Sequence, residues 1–373
     1  MSKIKTAAHL LKRPKKLISV LFEKGTSLFA AIVKKNVIPQ KIVHVRRARH
    51  RPNSNMKVLI IYPYVGISQT LATSNYFLAW IMGFWKNGID ARICATHQYC
   101  APVVKTELLF SDAIFYPYKN KSNGLKFLEE ILTSYEPNIC ITHGEVFDEI
   151  GSRINLCHAH EAKVYLFAGE LPDTQIKDAK KRANYISSIV SGIDGIITMT
   201  LVIKEYWIRQ GVPENKIFTA TSIVDVDTIE AIQRSPIQSE GLYFGNIVYQ
   251  EVYDLIDVAL KVRKKIPNFT ISVFADASSD DAARYLESIH SKNASNAVFL
   301  KNAVDFKTMI SLQKSAKVLL FPGKSWIRSN SGFPNKLGEY LASGTPVVGA
   351  DVGGIHGILE DGEQLYLCPP DDV

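Results

Sequence analysis

Short apolar runs and helix-length segments alternate along almost the whole chain after residue 55, and this alternation constrains the fold more than any other feature. The first run, "MKVLIIYPY" at 56–64, is bounded by the polar "RPNSN" before it and by a loop containing Gly66 after it. Continuous runs of this kind belong to strands covered on both faces, the condition of a parallel sheet whose crossovers are helices. A helical stretch through "YFLAWIMGFWKNG" follows, and then a second strand, "DARICAT". The pattern goes on through "LKFLEEILTSYEP", "NICITH", "IGSRINLCHAHEA", "KVYLFAG", "ANYISSIVSG", "DGIITMT", "LVIKEYWIRQGVP" and "NKIFTAT", ending near Asp227. Repeated strand, helix, strand units predict a doubly wound α/β domain.

A polar segment, "IQRSPIQSE", separates this series from a second that opens at "GLYFGN": strand 241–245, helix 251–265, strand 269–275, then "ARYLESIHS", "AVFLKN", "DFKTMISLQKS" and "AKVLLFPG". The expected architecture is two Rossmann-like domains in tandem, 55–235 and 236–373, and 373 residues with 46% hydrophobic side chains suffice for two cores. The halves share architecture rather than a short period, and the body has no tandem repeat or low-complexity tract.

Charge is unevenly placed. Residues 1–54 carry nine Lys and five Arg against one acid, Glu23, for a net +13, whereas the remaining 319 residues are net −5. Within this arm "LISVLFEKGTSLFAAIV" is apolar for only 17 residues and includes Glu23 and Lys24. It is too short and too charged for a membrane span, and too far from the start for a signal peptide. The arm is expected to lie on an anionic membrane surface, where each Lys or Arg contributes about 1 kcal/mol. A solvated tail is the bland reading of the same charge run. Nucleic acid is disfavoured as a partner, because the body is net acidic and the arm has only two aromatics, Phe22 and Phe29. The five cysteines (Cys94, Cys100, Cys140, Cys157, Cys368) are odd in number and form no CxxC pair, which argues against a disulfide framework or a zinc knuckle and for a reducing cytosol.

The densest chemistry lies in "SNSGFPNKLGEYLASGTPVVGADVGG", 329–354. A buried strand, Val318 to Phe321, precedes it and is closed by Pro322 and Gly323. Pro334 suits the first turn of a helix, where no N–H is needed. Leu337, Tyr340 and Leu341 recur at helical spacing, Gly344 supplies a left-handed stop, and "TPVVGA" reads as the next strand. In such a unit ligands sit outside the carboxyl ends of the strands, where the next helix presents unpaired N–H groups and its positive end. Lys336 adds a full charge there, with Asn335 beside it. Glu339, three residues on, shares the face of Lys336 and can accept from hydroxyls. The combination suits a nucleotide sugar, with diphosphate at the helix start and ribose at the carboxylate, although the same two residues alone also read as a solvated ion pair.

Here the residues resemble a known family. "FPNKLGEYLASGTPVVGADVGGI…LEDGEQLYLCPPDD" looks like the donor-binding end of glycosyltransferase family 4 (glycosyl transferases group 1), and "IDGIITMTLVIKEYWIRQGVPENKIFTATSIVDVD" is similar to the segment that closes that family's first domain. Together they cover about residues 56–373. The resemblance implies a GT-B fold: two Rossmann-like domains facing a cleft, the acceptor held mainly by the first and the nucleotide sugar by the second. No metal or other cofactor is expected, because helix N–H groups and basic side chains neutralise the diphosphate. Glu339 corresponds to the second glutamate of the family's Glu-x7-Glu pattern, which holds the ribose in relatives; the first falls at Ser331, a shorter and uncharged donor-site candidate. In the subgroup with "FP-x-K-L-x-E-Y", Lys336 is a phosphate ligand candidate. Where relatives carry an Arg and a Lys for the diphosphate, this chain has Asn246 and Gln250. Lys324 and Arg328, in the loop before the helix, are the candidates that compensate, and Gly66 is where relatives bring a flexible loop to the phosphates.

In the first domain many relatives place a histidine after the strand matching "KVYLFAGELPD", and here that position is Ala168 or Gly169. Glu170 follows, a carboxylate placed to orient or deprotonate an acceptor hydroxyl; capping of the next helix is its structural alternative. His143 ends a strand and is the second acceptor-site candidate. His143, His158 and His160 invite a metal reading, the last two being close in "HAH", but no Asp/Glu and His spacing known for zinc accompanies them. Tyr62, Tyr64 and Trp326 are sugar-stacking candidates, with core or rim packing the commoner use of an aromatic.

The expected function is therefore a hexosyltransferase, retaining by resemblance, that moves a hexose from a nucleotide diphosphate sugar to a lipid-linked or polysaccharide acceptor in cell-surface glycan synthesis. It would work as a cytoplasmic, peripheral protein at the inner face of the cell membrane. Two alternatives stand beside it: a nucleotide-sugar epimerase or phosphorylase, and a catalytically degenerate GT-B protein that binds sugars or scaffolds a membrane assembly. Relatives continue beyond the "PP-D" segment with helices that cross back to the first domain, so the second domain reads as truncated at Val373.

Overall fold

Apolar runs predicted to be covered on both faces are covered on both faces. In the computed structural model Val58, Leu59, Ile60, Ile61 and Tyr62 are all buried, and their strand, β1 (Lys57–Tyr62), pairs in parallel with a neighbour on each side. The structure describes residues 55–62, 72–95, 115–116, 124–144, 149–236, 239–247, 250–326, 330–355 and 358–371. The basic arm 1–54, Gly66, Tyr64 and Arg328 lie outside the described residues, as does the side chain of Gln250.

The other strands of the first sheet are β2 (Asp90–Ala95), β3 (Phe115–Tyr116), β4 (Ile139–His143), β5 (Lys163–Ala168), β6 (Gly195–Thr198) and β7 (Ile217–Thr219). Their order is β3-β2-β1-β4-β5-β6-β7, all parallel. The connecting helices are α1 (Ala72–Lys86), α2 (Gly124–Tyr135), α3 (Ile150–Ala159), the short α4 (Pro172–Gln175), α5 (Ala179–Gly192) and α6 (Leu201–Arg209). α2 shows why they form: Leu128, Ile131, Leu132 and Tyr135 recur at helical spacing and are the residues it buries. Side-chain caps fix several helix starts, with Asp178 accepting from Lys181 N–H before α5 and Thr200 accepting from Ile203 N–H before α6.

After α7 (Val226–Ala231) the second sheet is built from β8 (Ser239–Phe244), β9 (Ile271–Ala275), β10 (Val298–Asn302), β11 (Ala316–Phe321), β12 (Val347–Ala350) and β13 (Tyr366–Cys368). Its order, β10-β9-β8-β11-β12-β13, repeats that of the first sheet from β3 to β6, without a counterpart of β7, and it too is parallel. Its helices are α8 (Asp254–Arg263), α9 (Asp280–Ser291), α10 (Phe306–Gln313) and α11 (Asn335–Ala342). α11 starts one residue after Pro334 and is stopped at Gly344, whose φ of 72° is left-handed as its position requires.

The chain divides into two compact units: one runs to Asp225 and takes in Trp326–Gly338, and the other holds Val226–Ser325 and the chain from Glu339. Residues 229–235, which the sequence places at the end of the first domain, are fastened to α10 and the residues just after it. Lys314 Nζ donates to the carbonyls of Glu230 (3.1 Å) and Ile232 (2.8 Å), Ser311 Oγ donates to Gln233 O, and Ser315 Oγ donates to Ser235 O. The physical reason is that the backbone carbonyls at the end of α7 and just beyond it must be satisfied, and Ser311, Lys314 and Ser315 supply the donors.

Two core positions give testable consequences. Gly349 on β12 lies opposite Phe321 of β11, and a Cβ there would stand 2.1 Å from the phenyl Cε1. Gly349→Ala is expected to destabilise the protein by about 1–3 kcal/mol in chemical denaturation; an unchanged midpoint would show that the ring has room to move. Gln313 is wholly buried, and neither its Oε1 nor its Nε2 has a hydrogen-bond partner. Gln313→Met removes that desolvation cost and is expected to raise stability by about 1–2 kcal/mol. A loss instead would reveal a buried water serving the amide.

Candidate functional site

In an open parallel sheet the ligand position is the crevice at the carboxyl edge where the strand order reverses. In the second sheet that point lies between β8 and β11. Gly245 and Asn246 follow β8, and Pro322, Gly323 and Lys324 follow β11. Gly323 is packed against the next strand's end, where a Cβ would stand 2.9 Å from Ala350 Cβ. Asn246 is exposed at the edge, and its carbonyl accepts from Tyr243 Oη at 3.1 Å. Lys324 Nζ lies 2.7 Å from Asp254 Oδ2, at the start of α8, and 3.5 Å from Asp371 Oδ1. The hydrogen bond with Asp254 raises the lysine's pKa, and the Ser325 N–H lowers that of Asp371.

α11 presents the predicted donor residues. Tyr340 is buried and its Oη accepts from Phe244 N–H at 3.0 Å, which ties the helix to the end of β8. Burial pushes its phenol well above the ordinary tyrosine range; the Phe244 N–H opposes that shift and the neighbouring Glu339 charge adds to it. Glu339 is itself 7% exposed, so its carboxylate belongs to the packed edge rather than to a solvated face. Lys336 is half-buried and Asn335 exposed.

The segment that leads into α11 is held within the unit of the first sheet. Ser331 is buried, and its carbonyl accepts from Thr200 Oγ1 at 2.7 Å. The same Thr200 oxygen accepts from Ile203 N–H at 3.2 Å, so one hydroxyl caps α6 and fixes the approach to α11. Asn335 O accepts from Ser222 Oγ at 3.3 Å, and a Cβ on Gly338 would stand 2.9 Å from Val224 Cγ1. Gly338 in "NKLGEY" is therefore required by close approach.

The first sheet reverses its order between β1 and β4. His143 ends β4 there, 7% exposed, with the rings of Tyr62 and Phe167 at 5.8 and 5.6 Å. The turn beyond it is pinned by Tyr185 Oη donating to Gly144 O (3.1 Å) and Gly144 N–H donating to Phe167 O (3.1 Å). Buried Arg153 donates to Thr142 Oγ1 at 3.3 Å. Glu170 stands two residues beyond β5 and accepts from Gln175 Nε2; α4 begins without a side-chain cap, so Glu170 does not cap it.

His158 is on α3 and its Nε2 lies 2.9 Å from Asp194 Oδ2, so a hydrogen bond to that carboxylate accounts for it. Among the described residues no group of three or more His, Cys, Asp or Glu gathers as a metal site would. Nor, among the same residues, is any helix long and apolar enough to cross a membrane. Cys94, Cys140 and Cys157 are buried, and burial pushes the Cys94 thiol up to about 12, which leaves it unreactive.

These are the two sheets of a GT-B protein. A glycosyltransferase from Rickettsia africae ESF-5 superposes with a TM-score of 0.64 at 14% identity, over 86% of each chain. Anabaena Alr3699/HepE, solved in complex with UDP-glucose, gives 0.66 at 13% identity over 85% of this chain and 86% of that one. UDP-GlcNAc 2-epimerase from Methanocaldococcus jannaschii gives 0.50 at 14% identity over 84% and 89%. No curated protein matches the sequence. In sequence, residues 239–373 match the family described as Glycosyl transferases group 1, the family whose donor-binding end the "FPNKLGEY" segment resembles.

Thr200, Asp254 and Asp371 were not visible as site residues in the sequence. Ser331 is 131 positions from Thr200, and Ser325 is 46 from Asp371, so no local pattern joins them. Thr200→Val is expected to cost about 1–2 kcal/mol in thermal or urea denaturation, while Thr200→Ser keeps both bonds and stays near the wild type. Equal stability of the valine variant would show that neither bond matters.

Proposed function

We propose that the protein is a glycosyltransferase that takes a hexose from a nucleoside diphosphate sugar and passes it, with retention, to a lipid-linked or polysaccharide acceptor. The observation that carries the reading is the coincidence of the family match, 239–373, with the sheet whose carboxyl edge presents Lys336 and Glu339 on one helix. The fold alone is shared by transferases and an epimerase, and the family match favours transfer.

In this reading the first turn of α11, with Asn335, Lys336 and Lys324, holds the diphosphate; Ser331, Arg328 and Gly66 stay candidates by resemblance, Ser331 being buried and the other two lying outside the described residues. Glu339 accepts from the ribose hydroxyls. The acceptor oxygen attacks the anomeric carbon, the bond to the diphosphate oxygen breaks, and the nucleoside diphosphate leaves with the electron pair. Helix N–H groups and Lys336 stabilise the charge that develops on it, so no metal is called for. Glu170 and His143 are the first-domain groups assigned to the acceptor hydroxyl and its proton. The basic arm keeps the protein at the inner face of the membrane, near a lipid-linked acceptor.

The test is thermal stability with a panel of nucleotides and nucleotide sugars, beginning with UDP-glucose because Anabaena Alr3699/HepE binds it. A ligand at 100 times its Kd is expected to stabilise the wild type by about 2.7 kcal/mol, and Glu339→Ala to lose most of that shift. Absence of a shift with every member of the panel would contradict the reading and favour a non-catalytic scaffold.

A further inference from the structure

One ammonium at the second sheet's reversal point is shared by two carboxylates, which is an unusual arrangement for a phosphate ligand. Lys324 Nζ is 2.7 Å from Asp254 and 3.5 Å from Asp371, and the Lys324 and Asp254 side chains are only 17% and 20% exposed. The loop itself holds Asp371 in place: its N–H donates to Gly323 O at 3.4 Å, and its Oδ2 accepts from Ser325 N–H at 3.1 Å. A residue from beyond β13 is thus fastened across the end of β11, with a left-handed φ of 65°. The three charges sum to about one negative; the Lys324–Asp254 pair is partly buried, so solvent does not screen it fully, while the Asp371 carboxylate is 48% exposed and is held in place by the loop.

Resting on the donor reading above, we infer that Asp254 and Asp371 set the charge preference of this edge, so that it favours an esterified diphosphate over the free nucleoside diphosphate left after transfer. The sugar ester caps the terminal phosphate. Once the sugar has gone, that phosphate has a second ionisation near pH 6 and carries about one more negative charge at neutral pH. A lone lysine rewards the added charge. A lysine already shared by two carboxylates does not, because the added charge meets a net negative group. The two aspartates therefore act on product release rather than on bond breaking, and release limits turnover in many enzymes.

Calorimetric titration of the full chain with UDP and with UDP-glucose tests this in the wild type, Asp371→Asn and Asp254→Asn. Asparagine at 371 keeps an oxygen for Ser325 N–H, so the loop contact survives while the charge goes. Each substitution is expected to tighten UDP about five- to tenfold more than UDP-glucose, the scale of one charge at several ångströms in a partly screened site. The difference should shrink in 0.5 M salt, on the order of a Debye length of a few ångströms. Lys324→Met is expected to weaken both ligands. Equal tightening, no change, or preferential tightening of UDP-glucose overturns the inference while leaving the donor reading standing. Binding of neither ligand by any of these proteins overturns both. Circular dichroism identifies a variant that fails to fold, and the other aspartate then decides.

Discussion

All strands of each described sheet run the same way, and the rest of the molecule's chemistry depends on that constraint. A parallel sheet cannot be closed by hairpins, so every strand must be followed by a crossover, and every helix start is delivered to the same edge. Unpaired N–H groups, loop glycines and the residues just past each strand accumulate there. In this chain the same order, with its reversal in the middle, occurs twice. Each unit therefore has its own reversal point, one marked by His143 and the other by Lys324.

The fold was legible because burial on both faces leaves a plain signature in sequence. Val58–Tyr62 could hardly be anything but a central strand, and Pro334 with Gly344 bracketed α11 to within a residue or two. That Lys336 and Glu339 lie on one helix, at a spacing that shares a face, was legible for the same reason. The anchoring of 229–235 was not, because a local sequence pattern is silent about which distant donors will meet its carbonyls. Thr200 illustrates the same limit. Threonine before a helix is readable as a cap, but its second bond reaches across to Ser331, and only the folded chain brings the two together.

Departures from the family pattern acquire a physical setting. Asn246 stands exposed where relatives put a base, and Lys324, the nearby lysine, is already paired. On the proposed donor reading this edge is less positive than the family resemblance alone implies, and more weight falls on the N–H groups and Lys336 at the start of α11. Ser331, at the position of a family glutamate, is buried and serves the chain through its carbonyl. A site organised in this way relies on fixed dipoles and geometry, which cost nothing to reorganise when a ligand arrives.

Hydrogen exchange of the full chain with and without saturating UDP-glucose tests most directly whether the carboxyl edge of the second sheet is the donor site. The account predicts slowed exchange in the peptides covering the end of β8 with the start of α8, the loop after β11, and the first turns of α11, with the outer helices α9 and α10 unchanged. Protection confined to the first sheet, or spread evenly over the protein, would contradict it.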